Sequence, residues 1–215
     1  MKFDCPKAAA MPSLPVADAC PFKFDQILRE AYQRVQPTAT PPFTTEAPIT
    51  SKAAWLAMIA ALDGKKIVVS PVFAGMVIPG SEGIFTGGND NTTPFGVEEY
   101  GGEGAVRVDY LFTNLSPKMV AGLRKFSQES IPLLGSYALS KYLFTKDGGI
   151  VYNIPRGAAQ TTGFGIPILN QRYGTMSSEG LNTNNKNGAS FSLPPEWDET
   201  IAMAFPEDWN PLTDL

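Results

Sequence analysis

Hydrophobic positions in the first third of the chain recur at helical spacing in two segments. Residues 24–35 (FDQILREAYQRV) place Phe24, Ile27, Leu28, Ala31 and Val35 at intervals of three and four, which predicts a short amphipathic helix. A second helix is predicted from Lys52 to about Leu62, with Ser51 as its N-cap and Gly64 as its stop. Its predicted buried face carries Trp55, Leu56, Ile59 and Leu62.

From Lys66 onward the pattern is typical of β-strands. Apolar or alternating runs predict strands over residues 67–70, 72–78, 105–113, 137–145, 149–153, 166–178 and 189–193. Asp147-Gly148 is a strong hairpin signal between two of these strands. Because side chains alternate along a strand, Arg107 and Asp109 should share one face, opposite Val108.

A third helix is predicted between strands. Ser116 is its expected cap and Pro117 its first residue, since proline suits the first helical position. The predicted buried stripe consists of Met119, Val120, Leu123 and Phe126.

Four further segments have little regular pattern. Residues 1–21 and 36–50 are rich in proline and predict an extended arm and a linker. Residues 80–104 form a Gly/Asn/Thr-rich stretch, and loops of this length are usually functional or are ordered by a partner. The last 22 residues are too apolar to remain free in solvent, so we expect them to pack on the domain or on a neighbour.

Together these patterns predict a mostly β protein, a sandwich or barrel of about 6–8 strands, with one short helix between strands and two N-terminal helices. The predicted divisions are residues 1–65 (arm and two helices), 66–198 (β domain) and 199–215 (tail).

Composition and charge exclude several classes of function. The net charge of −4 and the lack of any basic run argue against tight nucleic-acid binding. No segment approaches the roughly 20 apolar residues of a membrane span. The N-terminus is a poor signal peptide, so we expect synthesis in the cytosol. Only 18% of residues are charged, below the usual ~25%, which suits a surface partly covered by neighbours.

Candidate catalytic chemistry is sparse. The chain has no histidine, which removes the commonest general base and metal ligand. Cys5 and Cys20 are either free thiols, as a reducing compartment favours, or a bridge. No nucleotide-binding motif occurs, and no cofactor or metal is expected. Two possibilities stay open within the long loop: paired carboxylates (Glu98, Glu99 and Glu103) acting on a glycan, and calcium bound near Asn89-Asp90-Asn91.

The second half of the chain resembles a tail tube protein of tailed bacteriophages, whose fold is shared with the haemolysin-coregulated proteins of type VI secretion. The resemblance is one of element order over about residues 66–198. It rests on the segments KIVVSPVFAGMVI, the 80–104 loop, AVRVDYLFTNL, SPKMVAGLRKF, SKYLFTKDGGIVYN and ASFSLPPEW. The sequence also resembles structural genes of phages that infect Bacteroidetes. Residues 1–65 depart from the minimal tube subunit.

The resemblance implies a non-enzymatic virion protein, made in the bacterial host cytoplasm, whose partners are copies of itself and other virion proteins. Tube subunits form rings, typically hexamers, that stack around a channel through which DNA passes without specific binding. The implied intersubunit loop includes Gly87, Asn89, Asp90, Asn91, Thr92, Pro94, Phe95 and Tyr100. The implied assembly arms include Pro6, Pro12, Pro15, Trp209 and Pro211. A mildly acidic lumen would repel phosphates.

Two other functions stay open beside this one. A capsid decoration or head–tail connector protein would use the arms and the acidic surface equally well, and would be a monomer or trimer. A carboxylate-based glycan hydrolase would have a defined cleft and would lose turnover on substitution of Glu98, Glu99 or Glu103.

Overall fold

A computed structural model describes residues 26–35, 41–79, 83–86, 97–100, 106–134, 139–154, 162–177, 185–194, 197–198 and 200–215, with side chains described outside 83–86, 97–100 and 127–134. The protein is mostly β, as predicted. Its strands are β1 (Ile27–Arg34), β2 (Ile67–Val69), β3 (Ala74–Val77), β4 (Gly83–Thr86), β5 (Val97–Tyr100), β6 (Val106–Thr113), β7 (Leu139–Thr145), β8 (Ile150–Asn153), β9 (Ile166–Ser177), β10 (Lys186–Leu193) and β11 (Ile201–Ala204). The helices are α1 (Lys52–Ala60) and α2 (Pro117–Leu134).

Nine of these strands form one antiparallel sheet with β7 at its centre. The order is β11-β8-β7-β9-β10-β6-β3, and β1 joins it by pairing with both β7 and β2. β1 lies antiparallel to β7 from Ile27↔Thr145 to Arg34↔Leu139. The first half of β7 also pairs with β9 and its second half with β8. Strands from the beginning, middle and end of the chain therefore belong to the same sheet.

The sheet separates two hydrophobic clusters. The first cluster lies on the face shared by β1, β6, β7, β9 and β10; its largest members include Tyr32, Tyr110, Phe112 and Phe191, and Val120 of α2 packs into it. The second cluster lies between the opposite face of β1, β7 and β8 and the α1 segment, and it contains Phe43, Trp55, Tyr142, Phe144 and Tyr152.

The helix predicted over residues 24–35 is wrong, because residues 27–34 form β1. Ala31 and Gln33 lie on one face of this strand and Glu30 and Tyr32 on the other, and all four are buried. Because polar residues are buried on both faces of β1, its sequence does not show the alternation of apolar and polar residues that is typical of a strand. The apolar residues that remain happen to lie at helical spacing. Pairing with β2 and β7 on its two edges then overrides the local preference.

The other two helices begin where predicted. The Ser51 hydroxyl caps α1 by accepting a hydrogen bond from the backbone N–H of Ala54. Its buried residues are Ala54, Trp55 and Met58, so the predicted face is wrong for Leu56 and Leu62, which are 47% and 96% exposed.

α2 starts at Pro117, and the hydroxyl of Ser116 accepts a hydrogen bond from the backbone N–H of Met119. Val120 is buried, and Leu123 and Phe126 pack against the first cluster. Met119 does not join them, being 45% exposed.

The predicted strands from residue 67 onward are confirmed with small changes of boundary. β7 and β8 form the hairpin at Asp147-Gly148, where Gly148 adopts φ +82°, a conformation that favours glycine. β11 was not predicted; it pairs with β8 through residues 201–204. The 80–104 stretch was expected to have little regular structure, but it contains β4 and β5, which pair with each other as a separate two-stranded sheet.

Trp55 is the centre of the second cluster, since its ring lies 5.1 Å from that of Tyr142 and 5.4 Å from that of Phe144. We expect Trp55→Ala to lower the free energy of unfolding by about 3–5 kcal/mol, as large-to-small changes in cores do. The neighbouring Leu56→Ala, at an exposed position of the same helix, should change it by no more than about 0.5 kcal/mol. Denaturant titration measures both, and equal losses would contradict the packing described.

Candidate functional site

A buried ion pair joins β1 to β7 inside the first cluster. Lys141 Nζ lies 2.7 Å from Glu30 Oε2, and the two side chains are 1% and 0% exposed. Lys141 Nζ also lies 3.7 Å from the centroid of the Phe191 ring and 4.9 Å from those of Tyr32 and Tyr110. The ammonium group is thus enclosed by one carboxylate and three aromatic rings, in an environment where an unpaired charge would be very costly.

Tyrosine hydroxyls complete the bonding of the pair. Tyr110 donates to Glu30 Oε1 at 2.7 Å, and Tyr32 donates to the same oxygen. The Tyr110 oxygen lies 3.3 Å from Lys141 Nζ and accepts a bond from Gln171 Nε2 at 3.0 Å. Tyr173 hydrogen-bonds to Tyr32. Four strands therefore contribute to one polar centre: β1, β6, β7 and β9.

Burial shifts the pKa values of this centre. Desolvation lowers the pKa of Lys141 to about 8, and the attraction of Glu30 offsets only part of that effect. Desolvation, followed by the negative charge of Glu30, raises the pKa of Tyr32 and Tyr110 well above the ordinary value for tyrosine. These phenols stay neutral and act as hydrogen-bond donors. Because these groups are buried and bonded across β1, β6, β7 and β9, they hold these strands in register.

The reverse side of β3, β6, β10 and β9 presents a different surface, which we call the open face. The strand registers place residues of neighbouring strands side by side on this face. One such row runs across the four strands through Val77, Asp109, Ser190 and Arg172, and the next row contains Leu111 and Gly188. Val77 is 66% exposed and Leu111 42%. The expectation that Arg107 and Asp109 share a face is confirmed, and their side chains form an ion pair at 3.1 Å.

A groove of about 810 Å³ runs across the open face. The residues that line it include three glycines (Gly75, Gly174 and Gly188), two exposed apolar residues (Val77 and Leu111) and two arginines (Arg107 and Arg172). A Cβ added at Gly75 or Gly188 would meet no atom within 4 Å, so the space above both residues is free in the described part of the chain. This combination of glycine backbone, apolar side chains and charged side chains can bind an extended segment of another chain.

The residues of the expected intersubunit loop are placed only in part. Tyr100 ends β5 opposite Gly83, whereas Gly87, Asn89, Asp90, Asn91, Thr92, Pro94 and Phe95 lie outside the described residues. Of the possible catalytic carboxylates, Glu98 and Glu99 lie in β5, and Glu103 lies outside the description. Cys5 and Cys20 also lie outside it.

The C-terminal residues of the expected arms are packed within their own chain. Trp209 is buried in the second cluster and donates a hydrogen bond to the carbonyl of Thr50 at 2.6 Å. The carbonyls of Pro211 and Leu212 accept hydrogen bonds from the Arg29 guanidinium at 3.5 and 2.9 Å. Pro6, Pro12 and Pro15 lie outside the described residues, and the assembly role of both arms stays a prediction.

Among the residues that the structure describes, no group of three or more histidine, cysteine, aspartate or glutamate side chains is arranged to hold a metal ion. Within the same ranges, none of the helices combines the length and the apolar character required to cross a membrane.

Sequence reasoning missed the polar centre and half of the open face. Glu30 was assigned to a helix and Lys141 to a strand without a partner, so their contact 111 residues apart left no local signal. The pairing of β9 with β10 brings Arg172 beside Ser190 and Gly174 beside Gly188, which periodicity does not reveal. Lys141, a charged residue within the largely apolar strand LSKYLFT, was the available clue.

Comparisons of the chain with protein families, with curated proteins and with solved structures found no match.

Removing one member of the ion pair should destabilise the protein strongly. We expect Lys141→Met or Glu30→Gln alone to lower the free energy of unfolding by about 3–5 kcal/mol, because each leaves its partner group buried without its counter-charge. The double variant should lose less than the sum of the two single losses. A double-mutant cycle from denaturant titrations measures this coupling, and additive losses would contradict a direct interaction.

The stability of the protein should depend on pH above 8. The folded chain releases the Lys141 proton near pH 8, while an unfolded lysine holds its proton to about pH 10.4, so the unfolded state binds more protons in between. This lysine should therefore raise the free energy of unfolding between pH 8 and 10, by up to about 1.4 kcal/mol per unit. Above pH 10 the raised tyrosine pKa values act in the opposite direction. Denaturant titrations of wild type and Lys141→Met from pH 7 to 10 measure the difference, and parallel profiles would contradict it.

Proposed function

We propose that this chain is a structural subunit of a phage virion that assembles with copies of itself into a tail tube. The observation that carries the proposal is the open face. A sheet surface with exposed valine and leucine side chains and a groove between them is suited to contact with another chain. The proposal also rests on the resemblance of residues 66–198 to tube subunits in their order of elements.

The course of the sheet supports a second part of the proposal, that the strands close into a barrel. The backbone N–H of Phe73, just before β3, donates to the carbonyl of Leu28 in β1 at 2.8 Å, although β3 and β1 are separated along the sheet by β6, β10, β9 and β7. Closure of this kind removes unpaired edges, and a rigid unit of this shape can be repeated around a ring.

The polar centre contributes rigidity to such a unit. A hydrogen-bonded network that ties four strands together resists changes of register, which matters for a subunit that must present the same surface in every copy. In this proposal the rings stack around a channel, other virion proteins bind their ends, and DNA passes without specific binding. The protein then resides in the virion after synthesis in the bacterial cytoplasm.

Assembly can be tested with the purified chain over a series of concentrations. Negative-stain electron microscopy together with multi-angle light scattering should show rings or tubes with a central channel, with hexamers as the expected ring. Strictly monomeric or trimeric particles at high concentration would contradict the tube and favour a capsid decoration or head–tail connector protein, for which the open face serves equally well.

A further inference from the structure

The ion pair of the polar centre holds an amine and a carboxyl group together in an enclosed space. In the register of β1 with β7, Glu30 lies opposite Leu143 and Lys141 opposite Tyr32, so the two charged residues are diagonal neighbours on one face of the sheet. Lys141 Nζ lies 2.7 Å from Glu30 Oε2, and both side chains are buried. Two groups that can react with each other are thus fixed in contact, which removes much of the entropic barrier to their reaction.

The surroundings activate the carboxyl group. Tyr110 and Tyr32 both donate hydrogen bonds to Oε1 of Glu30, the oxygen other than the one paired with Lys141. Donors on this oxygen stabilise the negative charge that develops there when an amine attacks the carboxyl carbon. The Tyr110 oxygen also lies 3.3 Å from Lys141 Nζ, so this hydroxyl contacts both reacting groups and can pass a proton between them.

The surroundings also activate the amine. A neutral amine is the nucleophile, and the burial that lowers the pKa of Lys141 to about 8 gives a larger neutral fraction than an exposed lysine has. The rings of Phe191, Tyr32 and Tyr110 enclose the nitrogen and keep bulk water from the reacting atoms.

We infer that Lys141 and Glu30 condense in the folded chain to an amide, an isopeptide cross-link between β7 and β1. One proton passes from Nζ to the carboxyl group, and the neutral amine then attacks Cδ of Glu30. A second proton passes from the nitrogen to Oε2, the bond from Cδ to Oε2 breaks, and one water molecule is released. Oε1 becomes the amide oxygen and keeps its tyrosine donors. The step consumes no oxidant, cofactor or further reactant.

Burial favours the amide over the ion pair. The pair keeps two charges in the core at a large desolvation cost, whereas the amide is uncharged and its oxygen is hydrogen-bonded. The bond would join residues 111 positions apart and so restrict the unfolded chain as a disulfide does. The dependence of stability on pH described above then belongs to chains in which the bond has not formed.

Intact-mass spectrometry of the folded, purified chain tests the inference. Wild type should be lighter than its sequence by one water molecule, whereas Lys141→Met, which lacks the amine, should have its full sequence mass. Trypsin should release peptide 30–34 joined to peptide 126–146, with no cleavage after Lys141. This mapping is required because Asp147-Gly148 can also lose water, by forming a succinimide.

Two tyrosine variants separate the chemistry from a general loss of stability. Tyr110→Phe removes the hydroxyl that contacts both reacting groups, whereas Tyr142→Phe removes a buried hydroxyl that bonds to Gln33 on the other face of the sheet. After cell-free synthesis, we expect Tyr110→Phe to lose water at least about tenfold more slowly than wild type, and Tyr142→Phe to match wild type. Equal slowing in both variants would contradict the role of Tyr110. Circular dichroism establishes folding, and Tyr32→Phe replaces Tyr110→Phe if that variant is unfolded.

The outcomes are independent of those for the proposed function. Folded wild type that keeps its full sequence mass after prolonged incubation, or loses water only at Asp147-Gly148, would overturn the cross-link and leave self-assembly untouched. A cross-linked chain that stays monomeric at every concentration would support the cross-link and contradict the tail tube.

Discussion

The contact between Glu30 and Lys141 is the constraint on which the arrangement of the sheet depends. Burying two charges costs least when they are paired with each other and hydrogen-bonded, and here the partners come from four different strands. A shift of β1 by one residue along β7 would carry Glu30 to the opposite face and leave Lys141 enclosed by aromatic rings without a counter-charge. The pair thus disfavours alternative registers of β1 against β7 more strongly than apolar packing alone would.

The position of β1 has consequences on both sides of the sheet. On one face Tyr32 enters the polar centre and also lies 5.3 Å from the ring of Phe126, which places α2 against the first cluster. On the other face Gln33 accepts a hydrogen bond from the hydroxyl of Tyr142 and donates one to the carbonyl of Lys65. The single strand β1 therefore helps to position α2, the connection that precedes β2, and the second cluster.

Much of the fold could be predicted from local signals. The hairpin at Asp147-Gly148 and the starts of both helices follow from turn and capping chemistry, which acts over a few residues. β1 could not be predicted in this way, because its buried polar residues are stabilised by partners distant in sequence. β11 was hidden for a related reason: residues 201–204 are short and apolar, and only pairing with β8 makes them a strand.

The candidate site was predictable to a smaller extent than the fold. Alternation along β6 places Arg107 beside Asp109, and the sequence alone shows the acidic residues between positions 80 and 104. The groove itself depends on the registers of β3, β6, β10 and β9, which bring glycines from three strands to one surface. Registers of this kind are set by the whole sheet, so no single segment contains the information.

The bonds from the Arg29 guanidinium to the carbonyls of Pro211 and Leu212 span more than 180 residues of sequence. During synthesis, β1 leaves the ribosome long before these acceptors exist. β7, the strand that neutralises Glu30, also follows more than 100 residues later. The nascent chain can pair β1 with β2 early, but the edge of β1 that pairs with β7 stays open until residues 139–145 have been synthesised, so this part of the sheet can form only late in translation.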